Sequence, residues 1–203
     1  MNSDFKNIIL AATNVIPIFG GAISVLIDKY IPDNLQKKRD KLLEEILNDL
    51  ENIKEEINED FLKSEDFTIV FLRIFNKAMI ENNIIKSKIF RFILKNIALQ
   101  NHKIDLETEM FIKLTEDLVT HQFYFLDKIN KGENILKGVI YFTGLMDHKK
   151  YSLTGLENYG LIEQIDETSN YIKYKLTEFG KAFYLFIDYE NIYKEVIAES
   201  SME

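Results

Sequence analysis

The sequence predicts a mainly α protein in two parts: a helical bundle over residues 1–104, and a smaller helical domain over 105–203 that includes one small β-hairpin. Three observations carry this prediction. Apolar residues recur at helical spacing through most of the stretch 33–101. Both prolines, Pro17 and Pro32, lie before that stretch, so no residue within it forces a helix to stop. Over 171–176 the pattern switches to the strict alternation of a strand. At 203 residues, 46% of them hydrophobic and 29% charged, the chain can bury a core and is long enough for one domain or two small ones.

The first element is apolar. Residues 8–27 carry no charge, close to the ~20 residues that cross a bilayer. Thr13, Asn14, Pro17, Gly20, Gly21 and Ser24 interrupt them, so two short helices broken between Pro17 and Gly21 fit better than one straight span. Two readings stand: a buried helical hairpin that completes the bundle, or a membrane-inserting segment hinged at Pro17, Gly20 and Gly21. A signal peptide is not expected, because the start offers one Lys beside Asp4 and no clean small-residue cleavage site.

Pro32 and Asp33 then open a long amphipathic helix, expected over 33–62. Leu42, Ile46, Leu50, Ile53, Ile57 and Phe61 step by three or four residues and form one stripe. Lys37, Lys38, Arg39, Lys41, Glu44, Glu45, Glu51, Glu55 and Glu56 occupy the other face. Basic residues early and acidic ones late oppose the helix dipole, so packing must hold this helix, as core or as a coiled-coil seam. Ser64 is the expected N-cap of a helix over 65–82, with Phe67, Val70, Phe71, Ile74, Phe75 and Met79 inward. A further helix over 86–101 turns Ile89, Phe90, Ile93, Leu94, Ile97 and Ala98 inward.

In the second half, 106–129 reads as a helix or helix pair with Phe111, Leu114, Leu118, Phe123 and Leu126 inward. A short helix over 152–159 ends at Gly160, the residue suited to a left-handed C-cap. A strand over 161–165, a five-residue turn over 166–170 and an alternating strand over 171–176 follow. Thr177 is the expected cap of a last helix, with Ala182, Phe183, Phe186 and Ile187 inward.

Helix, Gly, strand, polar turn, strand, Thr cap and helix is the order of a winged helix. Residues 156–163 (LENYGLIE) and 174–181 (YKLTEFGK) resemble the wing and exit helix of that superfamily. The resemblance implies a C-terminal winged-helix domain whose contact helix is 152–159. Its candidate contacts, with a protein partner or DNA, are Lys149, Lys150, Ser152 and Asn158. The charge weighs against DNA. Residues 1–104 hold 15 Lys/Arg and 15 Asp/Glu, whereas 105–203 hold 10 and 18 and so carry the whole formal charge of −8. The helix 152–159 has no Lys or Arg, and the wing tip at Asp166 and Glu167 is acidic where phosphate needs cations.

The N-terminal half is similar to a group of uncharacterised bacterial proteins. The resemblance rests on VIPIFGGAIS at 15–24, DKYIP at 28–32 and SEDF at 64–67. Those proteins join an IPxxGG apolar hairpin to a helical bundle and a winged helix, an architecture similar to abortive-infection proteins of phage defence. The resemblance implies a defence or stress accessory and brings no catalytic residues with it.

Candidate chemistry fails on the residues themselves. No Cys is present, and His102, His121 and His148 are too scattered to suggest a metal site. Glu55-Glu56, Glu59-Asp60 and Glu65-Asp66 are adjacent pairs whose side chains diverge on a helix. Glu45, Asp49 and Glu56 read as a solvated face. Gly20-Gly21 lacks the spacing and the Lys of a phosphate loop. No enzyme activity, cofactor, metal or small-molecule substrate is expected. The leading expectation is a protein-interaction module, cytoplasmic or peripheral at the inner membrane face, that binds a partner or its own copy through an acidic winged helix. A membrane-perturbing effector using residues 8–27 and a winged-helix DNA-binding regulator are the alternatives.

Overall fold

Residues 35–100, 104–133, 135–136, 145–168 and 171–200 are described by the structure, a computed structural model; for 59, 136, 145–150, 199 and 200 it gives the helix or strand and not the side chains. The expected apolar hairpin with Pro17, Gly20 and Gly21 lies outside the described residues. The chain is mainly helical with a small antiparallel sheet. It divides into two compact units between Glu109 and Met110, rather than at 104/105.

The first unit contains α1 (Gln36–Asn52), α2 (Glu59–Leu62), α3 (Glu65–Ile80) and α4 (Ile84–Gln100). Ser64 caps α3 as expected, its Oγ accepting the Phe67 amide at 3.1 Å. The core is built on Ile46, Leu50, Phe67, Phe71, Ile74, Phe75, Ile89 and Ile93, with Phe71 stacked on Phe75 at 5.7 Å between centroids.

The helix expected over 33–62 is not continuous. It stops at Asn52, passes through a 3-10 turn over Lys54–Glu56, and restarts as α2. The break falls where Asn58 offers a better backbone contact than a helix interior would. Its Oδ1 accepts the amides of Asp60 at 2.9 Å and Phe61 at 3.4 Å, while Ile57 turns extended. Leu42, Ile46, Leu50, Ile53 and Phe61 are nevertheless buried. The apolar period reports which side faces inward, and the chain meets it without one unbroken helix. Arg39, expected in solvent, is buried instead, with its guanidinium on Asp40 at 2.8 Å.

The division falls within α5 (Leu106–Asp117), and from Met110 onward the second unit follows the order α5, α6 (Thr120–Asn130), β1 (Ile135–Leu136), α7 (Leu145–Asn158), β2 (Ile162–Glu167), β3 (Tyr171–Leu176), α8 (Glu178–Ile187) and α9 (Tyr189–Ser200). Phe111 sits among Phe179, Phe183 and Phe186 at 5.1 to 5.5 Å, and Phe123 meets Phe183 and Tyr189. The sheet order is β1-β3-β2, all antiparallel, with Ile135 opposite Ile172 and Ile162 opposite Leu176.

Four features differ from expectation. The helix expected from Ser152 begins at Leu145. A two-residue strand, β1, adds a third strand to the hairpin. The last helix is two, α8 and α9, divided at Asp188, which takes a left-handed φ of 50°. The turn is shorter than 166–170, because Asp166 and Glu167 belong to β2 and the Thr168 amide already closes on the Tyr171 carbonyl at 2.9 Å. Asp166 can join the strand because the pairing skips Ile165, a bulge that leaves this apolar residue about half exposed.

Candidate interaction face

The strand-to-helix joints of the second unit hold α7 in place. Gly160, at φ 68°, ends α7: its amide reaches the Glu157 carbonyl at 2.8 Å, and the Leu161 amide reaches Leu156 at 3.0 Å. These two bonds are the paired closure of a glycine C-cap, sealed by the fully buried Leu156 and Leu161. Thr177 ties the far end of β3 to the same place. Its Oγ1 accepts the Gly180 amide at 2.9 Å and donates to the Gly160 carbonyl at 2.6 Å, while its own amide reaches Leu161 at 3.1 Å. A Cβ on Gly180 would overlap the Leu161 carbonyl.

The inner side of α7 is fixed by Gln122 on α6. Its Oε1 accepts the Val119 amide at 2.8 Å and its Nε2 donates to the Ser152 carbonyl at 3.3 Å. Gly155 leaves room for that side chain, since a Cβ there would collide with the Gln122 amide nitrogen. Ser152 is only 5% exposed, which corrects its expected role as a contact: it lies on the inner side of the helix with its carbonyl engaged.

The outer side is different in kind. Tyr151, Thr154 and Asn158 are exposed at helical spacing, so they share one face, and Tyr159, in the turn that follows α7, is exposed as well. Tyr151 is 76% exposed. Asn158 is thus on the surface as expected. Tyr151 and Thr154 escape a reading that looks for charge, although their spacing from Asn158 was visible. Lys149 and Lys150 lie on α7, and their side chains are outside the described residues.

The hairpin beside α7 is less acidic than the linear sequence implies. Lys175 pairs with Glu163 across the strands at 3.0 Å, and the register places Lys173 opposite Asp166. The bulge thus sets Asp166, whose Oδ1 accepts the Glu167 amide at 2.8 Å, at a register position facing a lysine.

Two buried polar clusters were not legible as such. In the second unit, Asp127 on α6 is buried and accepts the Tyr184 hydroxyl at 2.7 Å, with Lys131 on its other oxygen at 2.7 Å. Burial first, and then Asp127, pushes the Tyr184 phenol above its ordinary pKa, and burial pushes Tyr189 up to about 12. In the first unit, the buried Arg91 of α4 lies 3.1 Å from Glu45 and 2.9 Å from Asp49, both on α1. Glu45 and Asp49 therefore form no solvated face. They are charge partners of a buried guanidinium, and each cluster joins two helices.

Among the described residues no group of side chains is placed to hold a metal ion, and no helix is long and apolar enough to cross a membrane. No family model, curated protein or solved structure matches the chain.

Proposed function

We propose that the second unit is a winged helix used to bind protein, and that the chain acts as an accessory in bacterial defence or stress by binding a partner or a second copy of itself through α7. The order of helices and hairpin in this unit, with its glycine cap at Gly160 and its Thr177 cap, supports the winged-helix reading. The observation that carries the function is the row Tyr151, Thr154 and Asn158. It is exposed, uncharged and led by a tyrosine, a residue type enriched where proteins meet. A DNA surface would place cations there.

The test uses the full chain with a photoreactive phenylalanine analogue at position 151, and a control at the equally exposed Leu185. Crosslinks to polypeptide from 151 and none from 185 are the expected result. Equal yields from both positions reject the α7 face. Binding of a short DNA duplex that falls with salt, and disappears in Lys149→Glu/Lys150→Glu, replaces the protein-binding reading with a DNA-binding one.

A further inference from the structure

Residues 181–200 contain neither Gly nor Pro, and Phe186, Tyr189, Tyr193 and Val196 recur at helical spacing, so the local sequence favours one helix from α8 through α9. The fold bends that helix at a single residue. Asp188 takes a φ of 50° and is, among the described residues, the one residue other than glycine in the left-handed region. Asp tolerates this region better than a bulky residue does, but a helical φ carries no such strain. The bend also replaces regular helix bonds. The Asp188 amide reaches back only three residues, to the Leu185 carbonyl at 3.2 Å, and the amides of Asn191 and Ile192 share the Asp188 carbonyl at 3.2 and 3.3 Å.

Packing holds the bend, and α9 contributes few side chains to it. Tyr189 and Ile192, in its first turn, are buried; beyond Ile192 none of its described side chains is. The Tyr189 ring stacks on Phe123 of α6 and meets Tyr184 of α8, each at 6.4 Å between centroids, and Lys131 Nζ lies 5.6 Å from the Tyr193 ring. The ion pair of Lys194 with Glu190 lies within α9 and travels with it. The seat on α6 and α8 is therefore shaped for one short segment, and a second copy of the chain carries the same segment.

We propose that two copies of the chain exchange α9: Asp188 straightens, α8 and α9 become one helix, and each copy seats its Tyr189 and Ile192 on α6 of the other. Exchange keeps the contacts of the seat, now made between copies, and relieves the left-handed residue at both hinges. A short hinge under strain is the feature that invites such a swap. The freedom lost on association opposes it, so the exchanged dimer forms at high protein concentration and reverts on dilution. This inference stands apart from the reading of α7 and does not depend on it.

The chain has no Cys, so introduced thiols are the only ones present. Full-length Lys131→Cys and Tyr193→Cys chains are mixed, concentrated and treated with a short bismaleimide. The expected product is a covalent heterodimer whose yield rises with concentration, whereas the dilute double variant links within one chain. A second measurement compares Asp188→Ala with Asp188→Gly. Both lose the carboxylate that Asn191 Nδ2 reaches at 3.0 Å, so their difference isolates the backbone. Ala is disfavoured in the left-handed region and favoured in a helix at each of two hinges, so sedimentation should show it dimerising about tenfold more tightly than Gly. No heterodimer under conditions that link the double variant internally overturns the proposal. Lys131→Cys chains linking to one another as readily overturn it too, because that reports face-to-face contact. Equal dimerisation of the two Asp188 variants does the same.

Discussion

Gly180 lies so close to Leu161 that a Cβ on it would overlap the Leu161 carbonyl oxygen. The first turn of α8 therefore rests on the backbone that links α7 to β2. Backbone cannot swing aside as a side chain can. Gly180→Ala should cost about 2–3 kcal/mol of stability, the upper part of the range for overpacking. Gly155→Ala collides only with the movable end of Gln122 and should cost about 1 kcal/mol. Urea unfolding of both variants checks the order; equal losses would show that the α8 contact can relax.

Thr177 joins the two halves of that joint through a single hydroxyl. Thr177→Val removes the Gly180 cap and the bond to the Gly160 carbonyl, at an expected cost of about 1–2 kcal/mol. Thr177→Ser keeps the hydroxyl and should lose less than half as much. Thermal unfolding of the pair separates the hydrogen bonds from the packing of the methyl group.

Arg91 bridges α4 to two carboxylates of α1. Arg91→Met leaves Glu45 and Asp49 facing an apolar side chain and should cost about 3 kcal/mol, the lower end for a broken buried pair because both carboxylates keep some solvent. Adding Glu45→Gln and Asp49→Asn to Arg91→Met should recover much of the loss. Denaturant unfolding of the single and triple variants measures it, and no recovery would show that the loss is one of packing.

Tyr184 and Tyr189 give the protein an alkaline limit. Both phenols are raised in the folded chain, so folding is favoured while they stay protonated. That contribution is complete below the unfolded tyrosine value of about 10 and is lost as pH rises through 12 and beyond. Stability should fall over that window, less steeply in Tyr184→Phe. Phenolate absorbance should show late-titrating tyrosines that become ordinary on unfolding.

What could be read in advance followed local rules. The caps at Ser64 and Thr177 and the left-handed Gly160 rest on contacts within a few residues, and all three form as expected. The stripe from Leu42 to Phe61 gave the buried side correctly and the continuity of the helix wrongly, because Asn58 could satisfy the backbone in another way. The candidate face was half legible. Asn158 is exposed, but Ser152 is buried because Gln122, thirty residues earlier, takes its carbonyl. That contact leaves no trace in a linear pattern.

By itself, the sequence determined a mainly helical chain with one hairpin, its caps, and most of its core, since periodicity and capping depend on near neighbours. Only tertiary structure decided which charges are solvated. Glu45 and Asp49 became partners of a buried arginine, Asp127 was drawn under Tyr184, and Asp166 was set opposite Lys173 by the bulge at Ile165. The reason is physical: a carboxylate's environment is set by whatever packs or pairs against it, and those groups come from other elements of the chain.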